Sequence, residues 1–255
     1  MPTTERTACR RVAERGYHPC MNLLRSTSRI TAALLLLAAL CATASPALAH
    51  VPDLERGADG VPMAIQGPEV SRAIYGYLAP AEEYDAYAFH VDEPVTQTIG
   101  VIVPMRAEHA GFRPSLRLLA DGIETALIED PGLDEREAEW EPFSLSSFWT
   151  GGEERIAFEP GVEYELRVEP GTGPDDSGRY VIVFGGPEAF TPADSVRTLV
   201  YLPVIWFGAY GGAPAHWNWW ALVPLAVVAA VLVLLVRAVV RAVRRRHASR
   251  QTELG

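Results

Sequence analysis

Three histidines, His50, His90 and His109, carry the most versatile chemistry in this chain. If a signal peptidase cuts after Ala49, the free α-amino group and the imidazole of His50 can chelate one metal ion. A second histidine would complete the T-shaped nitrogen set that suits copper(II), and His90 and His109 are the candidates. Alternation puts His90 on the solvent face of a strand, opposite Phe89 and Val91; His109 falls in a loop and is expected to swing. The plainer reading is a signal peptide that happens to be followed by histidine. Oxygen ligands are plentiful as well. Asp130, Asp134, Glu135, Glu137, Glu139 and Glu141 in one stretch, and Asp175 and Asp176 in another, offer the donors that Ca2+ accepts. They lack the Asp-x-Asp-x-Asp-Gly spacing of a calcium loop, so a solvated acidic loop over 130–141 is the simpler account.

Catalytic patterns are weaker still. The chain has no Gly-x-Ser-x-Gly, no His-Glu-x-x-His and no phosphate loop. With so many acids, some carboxylate pair always lies at a glycosidase-like separation, which is chance. The chain therefore reads as a binding protein rather than an enzyme, with hydrolysis a distant third choice behind an interaction role.

The elements that must position these residues lie between two apolar ends. Near the C-terminus an uncharged run, 219–236, is followed by Arg237, Arg241, Arg244, Arg245, Arg246 and Arg250. Roughly 20 apolar residues cross a bilayer, and arginine-rich flanks stay in the cytoplasm. The expected span is 217–240, with Trp217, Trp219 and Trp220 as an outer aromatic belt and 241–255 as a basic cytoplasmic tail. At the other end, Arg25 and Arg29 precede an apolar stretch that closes on Ala47-Leu48-Ala49, the pattern of a signal peptide over 21–49. Residues 1–20 read as an early-annotated start or an extended leader. The expected location is the cell (inner) membrane, with one pass, the central domain outside and the tail inside.

Composition is then read on residues 50–216. Of the 32 Asp and Glu in the chain, only Glu5, Glu14 and Glu253 fall outside this segment, whereas just 10 of the 22 arginines fall inside it. So acidic a surface excludes nucleic acid and an anionic lipid surface as its partners. Membrane lipid around the C-terminal helix and a neighbouring membrane or secreted protein are the partners that remain. Cys9, Cys20 and Cys41 all precede the segment, so it has neither a disulfide nor a cysteine metal site.

Short runs rich in β-branched and aromatic residues, at 74–78, 86–91, 95–103, 115–119, 155–158, 164–168 and 180–184, are bounded by Gly, Pro and Asp turns. Tyr164, Leu166 and Val168 face a core while Glu163, Glu165, Arg167 and Glu169 face water. Strands without intervening helices imply an all-β fold, a β-sandwich or jelly roll over 71–188 behind an extension at 50–70. From Thr191 an amphipathic helix begins, and Gly208, Gly211, Gly212 and Pro214 then suggest a hinge, so that 191–216 forms the approach to the membrane. That helix could lie on the bilayer or pack on the edge of the sandwich.

Gly76-Tyr77-Leu78-Ala79-Pro80, followed by Asp85-Ala86-Tyr87-Ala88-Phe89, Val91 and Glu93-Pro94, resembles the opening of bacterial pre-peptidase C-terminal domains. The stretches 161–168 and 177–183 resemble the closing hairpin of the same family, so the likeness covers 71–185. It implies a small β-sandwich acting as a non-catalytic accessory or binding module. The whole arrangement is also similar to a family of exported single-pass bacterial membrane proteins whose mature chain opens with His50-Val51-Pro52 and carries Glu141-Pro142-Phe143 in mid-domain.

Overall fold

A computed structural model describes residues 50–54, 61–131 and 135–253. The expected leader (1–20), the signal peptide (21–49), Asp134 and the side chains of Arg245 and Arg246 lie outside the described residues.

Among the described residues the strands are β1 Val51–Leu54, β2 Met63–Ala64, β3 Arg72–Leu78, β4 Asp85–Phe89, β5 Val95–Pro104, β6 Pro114–Ala120, β7 Ile123–Ile128, β8 Ala138–Glu141, β9 Ser146–Phe158, β10 Tyr164–Pro170 and β11 Gly178–Gly185. They pair as a six-stranded sheet in the order β1-β3-β11-β5-β9-β8 and a five-stranded sheet in the order β2-β4-β10-β6-β7. Pairing is antiparallel except for β1 with β3 and β2 with β4, both parallel. The two sheets face each other across one apolar core, which makes the expected β-sandwich.

Alternation fills that core as the sequence implies. Tyr164, Leu166 and Val168 of β10 point inward, and so do Ile99, Val101 and Val103 of β5. Each fully buried side chain of this size contributes about 1.5–3 kcal/mol through area removed from water. Aromatic rings gather at one end: Phe89 lies edge-on to Phe158 and Phe184, with centroids 5.4 and 5.7 Å away. One polar chain crosses the interior. The Tyr87 hydroxyl of one sheet meets that of Tyr180 in the other at 2.6 Å, and Tyr180 donates to Asp85 Oδ2 at 2.6 Å. Buried hydroxyls need such partners, and this relay satisfies two of them. A Cβ on Gly76 would collide with the Tyr180 ring, so glycine there is what lets the tyrosine lie across β3.

One expectation fails at 130–141. The stretch is not a free acidic loop: residues 138–141 are β8, paired with β9, and Asp130 is locked in an ion pair with Arg136 whose side chains are 2% and 1% exposed. Arg136 also donates to the Phe112 carbonyl at 2.9 Å. A charge that deep must be paired.

The outer face of the six-stranded sheet is covered too. Helix α1, Pro192–Trp206, is started by a capping box in which Thr191 and Asp194 satisfy each other's backbone amides. Its inner side brings Ile205, with Tyr201 and Val204, onto Ala73, Tyr75 and Val181 of the sheet. The Trp206 indole donates to the Phe143 carbonyl at 2.9 Å, and Arg197 reaches Asp53 Oδ1 at 3.2 Å. Of the two placements open to this helix, the structure has the one packed on the sandwich. Its outer side leaves Val196, Leu199 and Val200 in the open.

Beyond α1, a short 3-10 turn at Trp219–Ala221 leads into helix α2, Leu222–Glu253. The segment Trp219–Arg241 is 23 residues long and apolar, and its most apolar stretch is not covered by the rest of the chain. At about 1.5 Å per residue, that is long enough to cross a bilayer. Pro224 sits in the first turn, where a missing amide donor costs least.

Candidate functional site

The three histidines lie in three different surroundings. His50 precedes β1 and its Nδ1 meets the Ser71 hydroxyl. Burial lowers its pKa from the ordinary value, with Glu141, Glu188 and Glu139 pulling the other way. Ser71 is only 3% exposed, so this serine–histidine contact fastens the start of the sandwich and is closed to a substrate. His90 is exposed just past β4, as alternation implies. His109 does not swing. It ends the 3-10 turn Ala107–His109, is 4% exposed, and its Nε2 accepts from Arg179 at 2.9 Å. Among the described residues no three His, Cys, Asp or Glu side chains gather to hold a metal ion. Of the acidic residues considered for calcium, Asp130 is taken by Arg136, and Glu141 accepts the backbone amide of Phe143 at 2.8 Å and that of Ser144 at 2.5 Å. Asp175 and Asp176 are exposed.

What does converge is a polar centre where the sandwich meets the root of α2. Arg179, near the start of β11, is almost fully buried. Its Nε donates to the Gly208 carbonyl at 3.0 Å, a second nitrogen donates to the Pro214 carbonyl, and the third reaches His109. Since guanidinium only donates, His109 Nε2 is the acceptor and Nδ1 carries its proton. Gly208 ends α1 with φ +60°, a left-handed conformation that glycine adopts freely. A Cβ there would strike the His216 ring. The His216 amide donates to the Phe207 carbonyl at 2.7 Å, and Tyr210 lies edge-on to Tyr75 with ring centroids 5.5 Å apart. The Gly/Pro segment expected to be a hinge is therefore a closed, hydrogen-bonded connector.

Positive charge crowds this centre. Burial, then the Arg179 guanidinium, lowers the His109 pKa to about 4. His216 is also lowered to about 4, by burial and then by Arg106 and Arg179. Both imidazoles are thus neutral at pH 7. His109 Nδ1 and both ring nitrogens of His216 are buried without a hydrogen-bond partner among the described residues. For Arg106, burial pushes the pKa below its usual value, and Arg179 pushes the same way while Glu108 opposes.

Beside this centre an open cleft of about 410 Å³ lies between the end of β5, the β8–β9 turn and the residues that lead into α2. Arg106, Glu108, Trp140, Ser147 and Trp220 are in its wall. Asn218 fixes the α2 edge of the cleft: its Nδ2 donates to the Leu145 carbonyl at 3.3 Å, and its Oδ1 accepts from the Trp220 amide at 3.1 Å. Trp140 and Trp220 meet edge to face, centroids 6.4 Å apart. Trp217, Trp219 and Trp220 are exposed, and Trp217 and Trp219 touch each other. Arg241 and Arg244 are exposed on α2. Sequence reasoning missed Arg106, Arg179 and His216. The available signal was a lone arginine opening the apolar run 179–184, and a histidine beside the tryptophans.

No family model matches this chain, and no curated protein matches it. Among solved structures, the chain is similar to the pre-peptidase C-terminal domain of a collagenase from Bacillus anthracis, at 16% identity, covering 51% of this chain and 99% of that one, with a TM-score of 0.34. It is also similar to a β-glucosidase from Paenibacillus barengoltzii, at 20% identity and a TM-score of 0.28, covering 52% of this chain and 12% of that one. Neither likeness transfers site residues to this chain.

Proposed function

We propose that this chain is a single-pass membrane protein that holds a non-catalytic β-sandwich outside the cytoplasmic membrane as a binding module. The observation that supports this reading is the connector. A domain that needs only tethering is served by a free linker, whereas here Arg179 of the sheet holds the connector at Gly208 and Pro214, His216 closes the connector on Phe207, and Asn218 holds the β8–β9 turn at Leu145. Fixed orientation is useful to a surface that must meet something at a set height above the bilayer. The arginine tail supplies the orientation, because positive flanks remain cytoplasmic.

A second reading, an accessory subunit of a membrane complex, is favoured by Val196, Leu199 and Val200, which form an apolar stripe on α1 facing away from the sandwich.

Fractionation and topology mapping on the full chain test the main proposal. Expected are retention in alkali-washed membranes, a reporter fused after Gly255 that is shielded in intact cells, and slow chymotrypsin cleavage at Phe207 and Tyr210. Recovery of the chain in the soluble fraction, or a tail reporter accessible from outside, overturns the topology. Rapid cleavage within 207–216 overturns the fixed orientation.

A further inference from the structure

The cleft at the root of the apolar helix contains a guanidinium that no side chain or carbonyl holds by a hydrogen bond. Among the described residues the Arg106 side chain makes no hydrogen bond or salt bridge and feels Glu108 only through its charge, although it is half-buried and sits beside Arg179 and His216. A desolvated cation of this kind is stabilised by an anion that reaches it, and a planar guanidinium suits phosphate oxygens in particular. The Ser147 hydroxyl in the same wall is also without a partner among the described residues.

The same lining also carries the complementary charge. The Glu108 side chain is 51% exposed and stands 4.0 Å from Arg179. Burial alone would raise its carboxyl, but its own backbone amide and the neighbouring His109, Arg106 and Arg179 hold it below its ordinary value, so it is ionised. Trp140 and Trp220 are exposed in the lining of the same cleft, and Met105 adds a soft apolar surface. A cleft that combines a carboxylate with indole rings suits an organic ammonium.

Depth selects the source of this paired chemistry. Trp220 is in the first turn of the apolar segment and also forms part of the cleft, so the mouth opens at the level where headgroups lie. A volume of about 410 Å³ is at the lower end of small-ligand sites, enough for a headgroup but not for acyl chains. The chain's strong negative charge disfavours anionic lipid, whereas a headgroup bearing one charge of each sign meets no net repulsion.

We propose that this cleft binds the headgroup of a zwitterionic phospholipid, with the phosphate on Arg106 and Ser147 and the ammonium on Glu108 near the Trp140–Trp220 pair. The proposal rests on the membrane anchoring argued above. It specifies what the sandwich binds at its membrane-facing end.

The test uses the purified full chain in detergent, titrated with glycerophosphoethanolamine, glycerophosphocholine, glycerophosphoglycerol and inorganic phosphate while Trp fluorescence is followed. Native mass spectrometry of the same material reads co-purified lipid. Expected is saturable binding of the two zwitterionic probes, at least tenfold tighter than glycerophosphoglycerol or phosphate. Arg106→Gln should weaken it tenfold or more, and Glu108→Gln should abolish the preference for the zwitterions. Glu108 is exposed, so the second variant keeps the test valid if the first disturbs folding. Equal affinity for phosphate alone, equal retention of every lipid class, or binding unchanged in both variants overturns the assignment. Because soluble headgroups are titrated, a negative result here is separable from a failure of the topology, which fractionation reads independently.

Discussion

Strand β11 shows two faces of one sheet held in different ways. Tyr180, Ile182 and Phe184 enter the dry interior between the sheets, while Arg179, Val181 and Val183 meet α1 and the connector. The inner face asks for shape and apolar area, crossed by the Tyr87–Tyr180–Asp85 relay. On the outer face the Arg179 guanidinium binds the Gly208 and Pro214 carbonyls, and at the β1 edge of the sheet Asp53 joins Arg72 at 2.5 Å and Arg197 at 3.2 Å. Inner contacts therefore make the sandwich, and outer contacts decide how it is mounted.

Substitutions along β11 sharpen that division. Phe184→Ala should cost about 3–5 kcal/mol, by loss of transfer free energy and a cavity among Phe89 and its neighbours. Thermal unfolding followed by circular dichroism reads it, and a loss under 1 kcal/mol would remove the claim that the aromatic cluster dominates. Arg179→Ala should cost less, about 2–3 kcal/mol, since it strands the Gly208 and Pro214 carbonyls but leaves the core intact. Its signature is different: chymotrypsin should cut 207–216 at least tenfold faster with the β-sheet spectrum unchanged. If both variants lose sheet structure together, the two faces are one unit and the comparison breaks.

Acid acts on the two histidines of the polar centre together. His109 and His216 have folded pKa values of about 4, below the ordinary 6.5. Between these values the unfolded chain binds more protons, so the contribution of each imidazole to stability is complete above pH 6.5 and declines as pH falls toward 4. The slope is on the order of 1 kcal/mol per pH unit for each imidazole. Carboxylates titrate nearby, so the measurement is the difference in melting temperature between the parent chain and His109→Gln with His216→Gln, from pH 7 to 4.5. Parallel profiles would show that the connector does not sense protons.

Legibility followed the same two faces. Strands β4, β5, β6 and β10 were readable because one side of each faces water, which imposes a period of two. Strands β3 and β11 are buried on both sides and read as unbroken apolar runs, recognisable as strands but silent about the helix that covers them. Strand β8 was hidden by charge: Glu139 and Glu141 resemble loop residues until pairing with β9 places them on an edge. The short β1 and β2 carry too little pattern to be read alone. Thr191 announced α1 through local capping, whereas Arg179 and Arg106 gain their roles from residues about 30 to 110 positions away in the chain, which no window of sequence reveals. Glycines at 208, 211 and 212 were read as freedom, but Gly208 serves close packing against His216.

Arg179 gives the order of strands in the six-stranded sheet a mechanical meaning. It links the connector ahead of the apolar helix to β11, which lies mid-sheet between β3 and β5. A pull on that helix would thus enter through a central strand, which has to shear past two hydrogen-bonded neighbours at once, instead of peeling an outermost strand bond by bond.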